Sequence, residues 1–305
     1  MSDFKFAIQG MMLAVLGFSM FSIGDVFAKI MSDDFTVIQT AFWVNVMLMI
    51  AYVSLSHELG GLKQTFQSRK KHLHLIRGIL GFTVFFMMIN GFQKIGMAMS
   101  YTLIFSGPFI AAILSVFILK QKIGIHRWVS ILLGFIGVLI VLRPGTMPIE
   151  LAAVGVLLAA LCFALSSIIT RKIGNDEPTL SFAFYSALVS LTLFTILMVV
   201  FDGFATLPTI PQLTFFISVA FFHVGGTFAV TRAFKGHDTA IIAPFHYVQL
   251  IWGIFFGYIL FEQTIDIWTA IGASIIVASG IYLIYREKVR NAELNRGVTT
   301  HGAFD

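Results

Sequence analysis

The chain has 305 residues, of which 58% are hydrophobic and only 11% charged, with a formal net charge of +5. Its mean hydropathy is +0.91. These values exclude an ordinary water-soluble domain, and the basic excess asks for an acidic partner only if the lysines and arginines cluster on one surface.

The apolar residues fall into ten runs, at about 8–30, 37–57, 75–96, 97–119, 128–145, 150–171, 179–201, 211–233, 238–261 and 265–285. A helix rising 1.5 Å per residue crosses a hydrocarbon layer of about 30 Å with roughly 20 apolar residues. The runs therefore predict an all-α integral membrane protein of ten transmembrane helices, with no room for a soluble domain. The stretch 75–119 divides near Gln93-Lys94-Ile95-Gly96, where a charge and a glycine permit a tight turn. Pro178, Pro208 and Pro211 mark other turns. The first run resembles a cleaved leader, with Val26-Phe27-Ala28 as a weak cleavage site. It is long enough to span, and is expected to stay.

With the N-terminus inside, 17 lysines and arginines fall on the cytoplasmic side, and only Lys29, Lys94 and Arg143 fall outside. This asymmetry predicts cytoplasmic N- and C-termini in a bacterial inner membrane. It also accounts for the basic charge without nucleic acid. The single cysteine, Cys162, lies inside an apolar run and forms no intramolecular disulfide or thiolate metal site. No metal or cofactor is expected.

Positions about 142 apart match. Lys29-Ile30-x-x-Asp33-Asp34-x-Thr36 reappears as Lys172-Ile173-x-x-Asp176-Glu177-x-Thr179, and Gly137 through Arg143 answers Gly280 through Arg286. Lys94 answers Lys235, and Gln121 answers Glu262. Residues 1–147 and 148–290 thus read as two five-helix repeats, followed by a disordered cytoplasmic tail at 291–305. Five is odd, so the second repeat enters the membrane from the opposite side. Such inverted repeats are built around a central cavity, with the substrate site near the midplane.

Polar groups in the spans are the functional candidates. In the ninth, His246, Gln249 and Gly253 share a helical face, with Tyr247 and Trp252 beside them. The fourth span sets Phe105, Pro108 and Ala112 at the matching positions, with Tyr101 one turn earlier. His223 in the eighth and Asn90 in the third complete the expected cavity lining. Protonation of His223 and His246 would couple transport to a proton. Asp25 and Lys29, four apart with the acid first, form either a helical ion pair or a gate. Glu262 either gates or caps the following turn. Pro108 and Pro244 each free a carbonyl inside a helix, and Gly253-x-x-x-Gly257 allows close helix approach.

Arg77-Gly78, Pro108-Phe109, Arg127-Trp128, the run Gly134-Phe135-Ile136-Gly137-Val138 and Leu142-Arg143-Pro144-Gly145 carry a family resemblance in the first half. Ala243-Pro244-Phe245-His246-Tyr247, Trp252, Glu262 and Gly280 to Arg286-Glu287 carry it in the second. Together they resemble the EamA-type branch of the drug/metabolite transporter superfamily over residues 8 to 290. The resemblance implies a ten-helix bundle around a central cavity, carrying small organic metabolites such as amino acids, S-adenosylmethionine or riboflavin. Two positions depart from the family pattern: Gln121 replaces a first-half glutamate, and Trp43 replaces an arginine common among close relatives.

The expected activity is alternating-access transport of a zwitterionic or ring-containing solute, by a monomer or homodimer. Two alternatives are a broad-specificity exporter and a membrane enzyme acting on a lipid or small molecule. The second lacks support in the motifs: there is no HExxH helix, nucleophile elbow or P-loop, and His57-Glu58 is followed by Leu-Gly-Gly. No catalytic residue is expected.

Overall fold

In the computed structural model, residues 2–57, 61–119, 125–143, 149–174, 177–203, 206–236, 243–282 and 285 are described. All the described elements are helical. In hydrocarbon a spanning segment must satisfy its own backbone, and runs this apolar do so as helices. The elements are α1 (Ser2–Asp34), α2 (Val37–Ser54), α3 (Leu62–Phe66), α4 (Lys71–Lys94), α5 (Met97–Ile104) and α6 (Gly107–Leu119). Then come α7 (Ile125–Leu142), α8 (Leu151–Ile173), α9 (Thr179–Leu197) and α10 (Ile210–Gly236). The last two are α11 (Val248–Phe261) and α12 (Ile267–Tyr282). Among the described residues, seven helical segments are long and apolar enough to cross a membrane, and three apolar helices are shorter: Trp128–Leu142, Phe245–Phe261 and Ile267–Tyr282.

The described helical segments follow the apolar runs, with three corrections. The fourth run is broken at Phe105–Ser106 rather than continuous. Pro108 therefore stands in the first turn of α6, where a missing N–H costs nothing, and not inside a helix. The ninth run opens with a 3₁₀ turn, Ala243–Tyr247, and then becomes α11. The seventh ends in a π-helical turn, Met198–Asp202, closed by Gly203 at φ 78°. One short helix, α3, was not foreseen. Gln121, residues 237–242 and the tail 291–305 lie outside the described residues.

The ends are set locally. Thr36 begins α2, its side chain accepting from the Gln39 N–H at 3.1 Å. Gly96 turns α4 into α5 at φ 80°, a conformation costly for a residue with a Cβ.

The helices pair in a repeating scheme. α1 runs against α10, and α4 against α8; α2 meets α10, and α4 meets α9. α6 packs on α8, and α11 on α1; α2 faces α9, and α5 faces α11. Glycines allow the closest crossings. A Cβ on Gly226 would stand 2.9 Å from the Gly17 carbonyl oxygen, and one on Gly137 would stand 3.0 Å from that of Gly272. Two aromatic-rich clusters fill the interior. One gathers Phe92, Tyr101, Phe105 and Ile276; the other gathers Val44, Leu180 and Phe216.

Candidate functional site

α1 carries polar residues at Ser19, Ser22, Asp25, Lys29 and Ser32, spaced by threes and one four, so they form a stripe on an otherwise apolar helix. Asp25 stands at the centre of the best-formed polar group. Its Oδ2 accepts from the Tyr101 hydroxyl at 2.5 Å, a length typical of a hydrogen bond to a charged acceptor. Its Oδ1 lies 3.3 Å from His223 Nε2. His223 is midway along α10 (Ile210–Gly236), which puts the group deep in the bundle.

Two glycines make the arrangement possible. A Cβ on Gly24 would collide with the His223 ring, and one on Gly253 would collide with the Tyr101 ring. Each ring thus occupies space that its neighbouring helix leaves free. Tyr101 is 2% exposed, and rings of Phe92 and Phe105 lie at 5.4 and 6.3 Å from it.

The ninth-span residues fall beside this group. Trp252 Nε1 donates to Ser19 Oγ at 2.7 Å. His246 stacks on Phe18 at 4.7 Å, with Phe105 edge-on at 5.1 Å. Tyr247 packs against Phe105 at 5.0 Å, and its hydroxyl is buried without a hydrogen-bond partner. Gln249 is buried on α11. The expected opening between the fourth and ninth spans is therefore filled here by Tyr101, Phe105, His246 and Tyr247. His223 and His246 occupy different settings, one facing a carboxylate and one enclosed by rings. Asn90 is half-buried on α4 and makes no hydrogen bond to this group among the described contacts.

The Asp25–Lys29 ion pair does not form. Both carboxylate oxygens of Asp25 face other partners, and Lys29 Nζ lies 3.8 Å from the Phe261 ring centroid instead. Glu262 ends α11 in the left-handed region at φ 52°, and the Gln263 N–H reaches the Gly257 carbonyl at 2.9 Å, closing the helix before it rather than the turn after. Gln263 then accepts from the Met97 N–H at 3.2 Å, joining α11 to the start of α5. Gly253 and Gly257 thus serve contacts within the chain, with Tyr101 and Gln263.

Two cavities open at this end of the bundle. One of about 410 Å³ is lined by Gln93, Lys94, Met99, Glu150, Gly253 and Gln263, among others. The second, about 670 Å³, is lined by Lys29, Asp33, Lys94, Phe261, Glu262 and Gln263. The first reaches Gly253, against which Tyr101 packs. Tyr101 therefore separates this vestibule from Asp25.

At the opposite end the chain is tied shut. Arg77 donates to the Phe182 carbonyl at 2.7 Å and to Thr170 Oγ1 at 3.0 Å, bracing α4 against α8 and α9. Ser68 donates to Glu177 at 2.8 Å, and Lys70 to the Ile173 carbonyl at 2.5 Å. In the sequence Arg77 counted as a topology charge and as part of the family resemblance, not as a brace between helices. Ser19 and Ser22 were missed as well, although their spacing with Asp25 was visible. Nothing in the sequence marked Gln263.

The model of the EamA-like transporter family matches residues 8–143 and again residues 150–286. An S-adenosylmethionine uptake transporter of Rickettsia prowazekii is 28% identical over 93% of this chain and 95% of its own. A riboflavin transporter of Rhizobium johnstonii is 25% identical over 71% of each chain. One solved crystal structure shares the fold over 90% of this chain and 95% of its own, with a TM-score of 0.63 and 13% identity.

Proposed function

The chain belongs to the EamA-like transporter family, and from that premise we propose that it carries a small organic cation or zwitterion with a flat ring, of the S-adenosylmethionine class, across the bacterial inner membrane. The carrying observation is the Asp25 carboxylate, placed deep in the bundle against Tyr101 and His223, whose rings in turn meet Phe92, Phe105 and Phe21. A carboxylate in such surroundings attracts a positive centre, and rings bind both cations and flat heterocycles. S-adenosylmethionine offers a sulfonium and a purine. It is also the solute in the name of the Rickettsia prowazekii relative.

The mechanism in this reading is alternating access by two inverted five-helix repeats, making ten passes with both termini cytoplasmic. Three observations support it. The family model matches the chain twice. Numbering α1, α2, α4, α5–α6 and α7 as the first five passes, the main pairings between the two sets of five recur when the sets are exchanged. Under that exchange α1–α10 becomes α8–α4, α2–α10 becomes α9–α4, and α6–α8 becomes α11–α1. Finally, the break at Phe105–Ser106 in the fourth pass answers the 3₁₀ turn at Ala243–Tyr247 in the ninth.

The test is counterflow of radiolabelled S-adenosylmethionine in liposomes containing the purified chain. Uptake unaltered in chemical form, and reduced at least about tenfold by Asp25→Asn, is the expected result. Uptake equal to that of protein-free liposomes would refute the substrate reading.

A further inference from the structure

We propose that the outer vestibule contains a carboxylate-binding subsite built on Lys29, which takes the carboxylate end of the solute. The proposal rests on the reading above that the solute is of the amino-acid type, and it adds the recognition of its acidic end.

Lys29 is 5% exposed, and its ammonium has no hydrogen-bond partner among the described residues. An ammonium carries three donors, and a buried charge without acceptors is costly. Of the two carboxylates four residues away, Asp25 faces Tyr101 and His223. Asp33 acts on Lys29 only through space and is itself exposed. The ring of Phe261, 3.8 Å away, offers a face but no lone pair. All three donors are therefore unmet, in a residue that lines a cavity of about 670 Å³.

The surroundings point to a carboxylate within a zwitterion. Lys94 adds a second cation to the same cavity, while Asp33 and Glu262 place two exposed carboxylates on its wall. That mixture opposes a multiply charged phosphate and suits a group bearing one negative and one positive charge. Gln263 adds donors: its Oε1 is used by the Met97 N–H, which leaves its amide N–H₂ for a ligand. Gly96 keeps that side chain in place, because a Cβ there would stand 2.8 Å from the Gln263 oxygen. Gln93, also on the cavity wall, is fixed by donating to the Ser32 carbonyl at 2.5 Å.

The experiment compares wild type, Lys29→Met and Lys29→Arg in lipid nanodiscs. Lys29→Met removes a buried unpaired charge while keeping the stem, so it is expected to fold and to melt no lower than wild type. The first measurement is the affinity for S-adenosylmethionine against its decarboxylated form. Wild type should favour the carboxylated molecule by about tenfold or more, Lys29→Met should lose that preference, and Lys29→Arg should keep it. The second is the melting temperature in sodium acetate, phosphate and chloride at equal ionic strength. Acetate should raise it above chloride in wild type and not in Lys29→Met. A preference retained by Lys29→Met, or an acetate effect indifferent to the substitution, would overturn the subsite. Phosphate acting as strongly as acetate would overturn the commitment to a carboxylate. If neither form of S-adenosylmethionine binds, the substrate reading fails by itself and the acetate comparison decides the subsite.

Discussion

Replacing Tyr101 with phenylalanine isolates the hydrogen bond on which the central polar group depends. The substitution removes one oxygen and leaves the ring in its slot beside Gly253, with Phe92 and Phe105 still in contact. What disappears is a 2.5 Å donor to a carboxylate. Hydrogen bonds to charged groups contribute about 1.5–3 kcal/mol, and here the donor ring is buried while the Asp25 side chain is 17% exposed. Tyr101→Phe should therefore lower the unfolding free energy by about 1.5–3 kcal/mol. Asp25→Asn keeps the shape of the acceptor but removes its charge, so it should weaken the same bond and the approach of His223. The two substitutions act on one interaction, and their effects should fall short of additive by about 1 kcal/mol or more. The assay is reversible unfolding in mixed micelles of the wild type, both single variants and the double variant. Additivity within about 0.5 kcal/mol would show that Tyr101 and Asp25 stabilise the bundle independently, and would refute this account of the centre.

Glycine substitutions should divide by surroundings. Gly226→Val pushes a side chain onto the Gly17 carbonyl oxygen and the Phe21 ring, both 2.9 Å from the new Cβ, and should cost about 1–3 kcal/mol in thermal or micelle unfolding. Gly81→Ala, inside α4 with nothing within 4 Å, should instead stabilise by about 0.5–1 kcal/mol. Asp266 caps α12, accepting from the Trp268 and Thr269 N–H groups at 3.0 and 3.2 Å, and Asp266→Ala should cost about 0.5–2 kcal/mol. Burial pushes its carboxyl up, but the Thr269 side chain, the two N–H groups and Arg143 outweigh this and hold it below the usual value of 3.8. The cap therefore contributes fully above pH of about 4 and fades as pH falls through the lower folded value. An Asp266→Ala variant equally stable at pH 7 would contradict the capping role.

Hydropathy made the helical segments legible, because a chain in hydrocarbon has few options and long apolar runs are hard to misread. Local chemistry marked the turn at Gly96 between α4 and α5, while the cap at Thr36 went unread. The site was less legible, for two reasons. Periodicity identified the His246–Gln249–Gly253 face but not what it meets. The ring of Phe105 that closes on His246 comes from the fourth pass, and sequence spacing does not reveal whether two polar faces enclose solvent or each other. The rule for residues four apart also misled at Asp25 and Lys29. It describes an isolated helix in water, where a carboxylate has no better partner. Here Tyr101, 76 residues away, reaches Asp25 because Gly253 leaves room for its ring.

The failure of that ion pair is what gives α1 its two opposite charges on one stripe. Had Asp25 and Lys29 neutralised each other, neither would be available to a solute. Apart, they lie one turn from each other, about 6 Å along the axis at 1.5 Å per residue. A solute that engages both must carry a negative and a positive centre several ångströms apart. In an extended amino-acid side chain, four carbon–carbon or carbon–sulfur bonds separate a carboxylate carbon from a sulfonium, which spans about 5 Å. Tyr101 is bonded to Asp25 and packed on Gly253, which lines the neighbouring cavity of about 410 Å³ and not the one that Lys29 lines. A cation arriving at Asp25 competes for the carboxylate that holds Tyr101 in place. In the proposed reading, loading the centre and loosening its floor become one event, the coupling that alternating access would need.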